Sequence, residues 1–473
     1  MPAAIAPRAE EAPGTPFSWR FTTPLFIGSA LNPINSSMIA TALVPIAASM
    51  HVSVGQTASL VTALYLASAI AQPTAGKMAA VFGARRVFVV GIVLVLLGGL
   101  VGGFAPNLLA LLIARVLIGL GTSCAYPSAM MLIQRRAASA GLEKPPGGVL
   151  GGLQIAGIAT AAFGLPIGGI LVQAAGWRWV FFVNVPVALI ALAAALIWIP
   201  RDPAQQGPRN LREVVSRIDL TGIIGFALAM TALLVFLFSL QTPNWVVLGA
   251  AVILFAALTL WELRATHPFI DVRLLVRNAA LTRTYLRFAL VALCVYIVLY
   301  GITQWLEVGR GMSAFTAGLL LLPMSIVSGV VVAPISRRNL VRGPVIVAAL
   351  CTLAGAAGVL FLTSSTSIVW IVVITLVFGV ALGTASSGNQ IALYTQAVGD
   401  QLGVASGLFR TFGYLGSIAS SAITGIVFHQ AVSDRGVHLI AWIMIGVGVV
   451  AVMLSVFDGA LRTPARTAPT EGK

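Results

Sequence analysis

Few residues in this chain could do chemistry, and the notable ones sit where polarity is expensive. Arg115 interrupts an apolar run about eight residues in, ~12 Å along a helix axis. Asn35, Gln154, Asn389 and Gln390 place amides inside other apolar runs, and Arg410 places a second guanidinium ~12 Å from a run's end. A charge buried in hydrocarbon faces a wet cavity or a partner. The blander readings are an arginine reaching back to the interface and amides acting as interhelical glue worth about 0.6 kcal/mol each. Tyr300, Gln304, Trp305 and Glu307 cluster at the mouth of another run, just before Arg310. There Glu307 is either a proton carrier or the partner of Arg310. Tyr126, Tyr300, Trp305 and Tyr414 could stack on a planar substrate or belong to an interfacial aromatic belt.

What is missing narrows the field further. The 13 acidic residues are Glu10, Glu11, Glu143, Asp202, Glu213, Asp219, Glu262, Asp271, Glu307, Asp400, Asp434, Asp458 and Glu471, none at the centre of an apolar run. His51, His267, His429 and His438 lie at or near run ends. No nucleophile–base pair or metal-ligand cluster appears, so enzymatic chemistry is not expected. Without a G-x-x-x-x-G-K-[ST] loop, ATP is not the expected energy source, and no cofactor or metal is expected. Cys124, Cys294 and Cys351 lie in apolar runs and imply no disulfide framework.

These residues need membrane helices to position them. The 473-residue chain is 59% hydrophobic and 9% charged, whereas soluble proteins carry roughly 25% charged residues. Its apolar runs are ~20 residues long, the length that crosses ~30 Å of hydrocarbon. Fourteen spans are predicted, at 23–46, 56–76, 84–105, 107–133, 147–173, 178–199, 219–240, 244–263, 284–306, 314–335, 344–363, 366–393, 402–428 and 437–457. The net charge of +15 could suggest nucleic acid, but its distribution excludes that partner and points to a lipid bilayer. Arg178, Arg310 and Arg435 fall on one side and Arg115 and Arg410 within spans. Every other basic residue falls on the side of the termini, as the positive-inside rule requires of cytoplasmic loops. Both termini are therefore expected in the cytoplasm. The Pro- and Ala-rich residues 1–22 lack the basic n-region of a signal peptide and read as a tail. The expected division is a tail (1–22), a six-helix bundle (23–200), a linker with a two-helix hairpin (201–283), a second six-helix bundle (284–457) and a tail (458–473). Asp219, opening span seven, is expected to cap its helix.

Several motifs add detail. Gly76-Lys77-Met78-Ala79-Ala80-Val81-Phe82-Gly83-Ala84-Arg85-Arg86 resembles the G-x-L-A-D-x-x-G-R-R loop of the major facilitator superfamily, with Ala80 in the place of its acid. Arg115-Val116-Leu117-Ile118-Gly119-Leu120-Gly121 resembles the R-x-x-x-G-x-G stretch that carries the family's coupling arginine. Gly157, Gly164, Pro166, Gly168 and Gly169 resemble the antiporter motif G-x-x-x-G-P-x-x-G-G. Glycines there let a neighbouring backbone approach, and Pro166 removes a rung of the helix; a hinge and plain close packing use the same residues. The turn Gly176-Trp177-Arg178-Trp179-Val180-Phe181-Phe182-Val183-Asn184-Val185-Pro186 is the strongest family marker. In the first span, Ile34-Asn35-Ser36-Ser37-Met38-Ile39-Ala40-Thr41-Ala42-Leu43-Val44-Pro45 resembles L-D-x-T-I-V-N-V-A-L-P, with Asn35 replacing its acid.

The resemblance, over about residues 23 to 457, is to the superfamily's fourteen-helix drug:proton antiporters. It implies two helical halves rocking about a midplane site and export of an amphipathic small molecule across the plasma membrane, driven by protons. It also implies a cavity lined by Asn35, Arg115, Gln154, Tyr300, Gln304 and Asn389. Arg115 and Glu307 would be coupling groups, and Gly76, Gly83, Arg85 and Arg86 would anchor the cytoplasmic loop. Because Asn35 and Ala80 stand where relatives carry acids, a proton-independent facilitator or importer of a small metabolite is the second reading. A membrane sensor or scaffold that no longer transports is the third.

Overall fold

In a computed structural model, residues 16–52, 57, 59–142, 145–202, 211–239, 243–312, 314–397, 402–428 and 431–461 are described. Most of both expected tails lies outside them, as do Arg8, Glu10, Glu11, Glu143, Lys144, Arg209, Asp400, His429, Arg462, Arg466, Glu471 and Lys473. The described chain is all-α, with no strand among these residues. Helix α1 (Trp19–Met38) begins inside the expected tail and runs through a 3₁₀ turn (Ile39–Ala42) into α2 (Leu43–Met50). Then come α3 (Ser59–Phe82), α4 (Ala84–Gly103), α5 (Leu108–Ser139), α6 (Gly147–Ala175), the single turn α7 (Trp179–Phe182) and α8 (Asn184–Trp198). The middle of the chain holds α9 (Leu211–Ile218), α10 (Leu220–Phe238), α11 (Trp245–Glu262) and α12 (Val272–Arg277). The C-terminal helices are α13 (Ala279–Ile297), α14 (Ala314–Arg337), α15 (Arg342–Val359), α16 (Ile368–Gln396), α17 (Leu402–Val427) and α18 (Asp434–Val456).

Eleven helices among the described residues are long and apolar enough to cross a membrane. The predicted spans outside that set are 23–46, 56–76 and 402–428, which coincide with α1–α2, α3 and α17. Each is diluted by polar residues: Asn32, Asn35, Ser36 and Ser37 on α1, Ser68, Gln72 and Thr74 on α3, and Ser406, Arg410, Thr411 and Ser417 on α17. A helix surrounded by other helices need not be apolar all round, and α3 packs directly on α17.

Small residues set the packing. Gly121 of α5 sits so close to the Gly91 carbonyl of α4 that a β-carbon there would collide with it, and Gly379 and Gly383 of α16 meet Met324 and Ser328 of α14 in the same way. On α6, Gly164 and Gly168 lie against Ser37, Met38 and Thr41 of the first span. By contrast Gly157 makes only an ordinary contact with Pro33, and Gly169 faces open space. Gly164 and Gly168 are thus packing glycines, and Pro166 sits inside one continuous helix. Gly83 separates α3 from α4 at φ +102°, a conformation that favours glycine.

The N- and C-terminal helices close on each other at the end carrying the basic loops. A β-carbon at Gly76 would collide with the backbone of Gly403, and one at Gly407 with Gln72. One at Gly147 would overlap the Ser336 carbonyl. Thr411 Oγ1 donates to the Ala69 carbonyl at 2.9 Å. The buried apolar core runs unbroken across this contact, from Ala75 and Ala79 to Leu402 and Leu408.

Candidate functional site

Above that seal, polar side chains of the N- and C-terminal helices meet in a seam. Gln154 on α6 donates through Nε2 to Gln390 Oε1 on α16, and Gln390 Nε2 contacts Met130 Sδ at 3.5 Å. Tyr394 donates to the Met130 carbonyl at 3.3 Å. On the opposite flank Gln72 Nε2 donates to Tyr414 Oη at 3.3 Å, and Tyr414 Oη donates to Asn32 Oδ1 at 2.9 Å. Asn32 Nδ2 in turn donates to Ser68 Oγ and Thr122 Oγ1, tying three N-terminal helices to one C-terminal tyrosine. Tyr65 and Tyr300 share a hydroxyl–hydroxyl bond of 2.9 Å, and Tyr300 stacks on Tyr296. The guanidinium of Arg410 lies 3.9 Å over the ring of Tyr126. Buried polar groups are normally satisfied, yet Gln72 Oε1, Ser128 Oγ and Arg410 Nε have no hydrogen-bond partner.

The sequence candidates divide around this seam. Gln154 and Tyr300 are on it. Asn35 is 2% exposed within the N-terminal helices, in a reciprocal amide pair with Asn184: Nδ2 of Asn35 donates at 2.6 Å and Nδ2 of Asn184 returns a bond at 3.0 Å. Arg115, 1% exposed, donates through Nε to Leu60 O at 3.0 Å and through Nη1 to Asn35 O at 3.2 Å, so it braces α5 against the first two spans. Asn389 stays within the C-terminal helices beside Arg287. Gln304 is exposed, whereas its neighbour Trp305 is buried and donates to Asp434 Oδ1 at 2.9 Å. Glu307 is partly buried in the same π-helical turn, and Arg310 lies over the Trp305 ring at 5.8 Å.

Three buried acids went unassigned in the sequence. Asp202, its side chain 4% exposed, accepts from the backbone amides of Arg85 at 3.1 Å and Arg86 at 3.0 Å and pairs with Arg135 at 3.3 Å. It caps the start of α4 from behind Gly83. Asp458, fully buried, pairs with Arg283 at 2.7 Å and with Arg287, which is itself 1% exposed rather than in a loop. Burial alone would push the Asp458 carboxyl up, but the two guanidinia outweigh it and hold the carboxyl below its ordinary range. Glu262 lies beside Asp219 with neither oxygen hydrogen-bonded. Asp219 caps α10 through Gly222 N at 3.0 Å and also accepts from Trp261 Nε1 and Phe269 N. A cavity of about 700 Å³ lies at the basic end, with Lys77, Arg217, His267, Phe269, Tyr285 and Leu408 in its wall. Among the described residues no group of His, Cys, Asp or Glu could hold a metal ion.

The described chain is a multi-pass helical protein whose N- and C-terminal helices meet along a polar seam. The model of the Major Facilitator Superfamily matches residues 25–421, and the chain belongs to that family. It is 32% identical over 450 residues to the MFS-type transporter YwoD of Bacillus subtilis, covering 94% of this chain and 98% of that one. It is 29% identical to the tetracenomycin C resistance and export protein of Streptomyces glaucescens, covering 88% and 77%. Its fold is similar to that of the proton:xylose symporter XylE, with a TM-score of 0.62 at 16% identity over 93% of this chain and 95% of that one. The protein is a transporter and not an enzyme.

Proposed function

We propose that this protein exports amphipathic small molecules across the plasma membrane by alternating access, with both termini in the cytoplasm. The observation that carries the reading is the seam itself. N- and C-terminal helices meet there through polar contacts that can be exchanged for contacts with cargo, while the basic-loop end is sealed backbone to backbone by Gly76, Gly403 and Gly407. A carrier needs such a reversible contact surface around a site reached from alternate sides. Relatives with resistance and export in their names support the direction.

Inward proton flow is the family's expected drive. A second reading, a proton-independent carrier, is favoured by Asn35, whose amide pairing with Asn184 occupies the place of the first-span acid. Efflux from inverted vesicles, with and without an imposed pH gradient, decides between them. Gradient-dependent dye accumulation with reciprocal proton movement is the antiport result, and transport indifferent to the gradient is the facilitator result. No transport of any amphipathic probe would sink the export reading.

A further inference from the structure

Arg410 is out of keeping with its surroundings. It rises from α17 about 12 Å from that helix's basic end, by helical rise, and reaches across to α5 rather than back to the interface. Its guanidinium carbon stands 3.9 Å from the centroid of Tyr126. Its charge also acts on the phenols of Tyr296 and Tyr414, and no carboxylate is among the groups acting on these three tyrosines. Five described acids lie elsewhere: Asp202 and Asp458 on arginines, Asp219 and Glu262 on the central helices, and Asp434 on Trp305 and Ser364, while Glu307 lies in the π-helical turn Trp305–Gly309. Arg410 Nε is buried with no acceptor, and Tyr126 Oη, in a residue 3% exposed, has no polar neighbour acting on it but Arg410 itself. Gln72, 2% exposed, adds a free carbonyl oxygen on the same seam.

An aromatic face holds a cation more weakly than an oxyanion does. A guanidinium presents a planar fork of donors suited to a carboxylate or a similar planar oxyanion. Phenol hydroxyls can donate to the same anion, and phenol rings offer faces to an aromatic body.

Resting on the export reading above, we infer that Arg410, with Tyr126 and Tyr414, forms the anion-selecting part of the seam, and that the cargo is a planar aromatic anion. Arg410 comes from a C-terminal helix and Tyr126 from an N-terminal one, so such an anion would exchange a contact that now spans the seam. Arg410 is then a specificity-determining residue rather than a structural brace.

The test compares two probes of similar xanthene shape and opposite charge, fluorescein and rhodamine 6G, binding to the purified full-length protein by fluorescence anisotropy. Wild type should favour fluorescein. Arg410→Gln should lower the fluorescein-to-rhodamine affinity ratio by about tenfold or more, the size of a lost charge-assisted hydrogen bond. Arg410→Lys, which keeps the charge but not the fork, should fall between. A wild type that prefers rhodamine 6G, or an Arg410→Gln ratio equal to wild type, overturns the inference. Should Arg410→Gln not yield folded protein, the wild-type preference and the Arg410→Lys ratio decide alone. Vesicle transport separates this idea from the one beneath it. Fluorescein binding without transport sinks export and leaves the site, whereas rhodamine transport without fluorescein binding sinks the site and leaves export.

Discussion

Asp202 supplies a carboxylate to a loop that lacks its own. Where relatives carry an acid inside the loop, this chain has Ala80, and the anion arrives instead from just after α8 to accept the amides of Arg85 and Arg86. A carboxylate at a helix start satisfies orphan donors and opposes the helix dipole. Asp202→Ala should therefore cost about 1–2 kcal/mol, the upper range for a lost N-cap, read as a fall of a few degrees in the thermal midpoint of the detergent-purified protein. An unchanged midpoint would mean that water replaces the cap. Asp458 obeys a different rule. Its carboxyl is held below the ordinary range by Arg283 and Arg287, so its contribution is fully present above the unfolded carboxylate value, about 3.9. That contribution fades as pH falls through the lower folded value. Stability should be flat in this respect through neutrality and drop only in acid, with Asp458→Asn flattening the acid limb of a pH–stability curve. A carboxyl so held takes up no proton at neutral pH, which removes Asp458 as a substitute for the missing first-span acid.

At the scale of helices, apolar runs gave away where the spans lie, because burying ~20 apolar residues in lipid leaves little choice of element. They did not reveal how each helix is rotated. A helix apolar on every side carries no periodic signal to say which face turns inward. Gln304 shows the consequence. Regular spacing groups it with Tyr300, but π-helical turns at Val298–Ile302 and Trp305–Gly309 each widen the helix and shift its phase. Trp305 consequently points in and Gln304 out. Asn32, Tyr65, Gln72 and Tyr394 were missed for a related reason: each matters through a partner on a distant helix, which spacing cannot show. The span-five glycines read as a hinge or as close packing, and Gly164 and Gly168 lie in close contact with the first span. The seal between α3 and α17 gives the prediction that belongs to this scale. A side chain at Gly407 meets the Gln72 and Pro73 backbone, so Gly407→Leu should hold the basic end apart. In a background lacking Cys124, Cys294 and Cys351, a cysteine at Ser336 should then label faster with an impermeant thiol reagent added from the basic-loop side, and transport should fall. Labelling as slow as in the parent would show that the helices re-pack around the leucine and that the seal does not depend on this glycine.

For the whole molecule, the question is what drives transport when the seam shows a guanidinium and no carboxylate among its described residues. An antiporter of neutral or cationic cargo needs a group that takes up and releases protons within reach of both sides. An exporter of anions does not, because a membrane negative on the inside already pushes a monovalent anion outward. That push is about 2.3 kcal/mol per 100 mV, equivalent to roughly a 50-fold concentration ratio at 1.4 kcal/mol per tenfold. Asn35 and Ala80 then cease to be defects, since a carrier of this kind has no use for the protons their acidic counterparts would handle. The expectation is that, in proteoliposomes, movement of an aromatic anion follows an imposed potassium-diffusion potential, reversing when the potential is reversed. It should stay unchanged when a pH gradient is applied with the potential clamped at zero. If the pH gradient alone drives accumulation, proton coupling is real and its carrier has to be found outside the seam. Glu307, partly buried at the end opposite the basic loops, is then the first residue to replace.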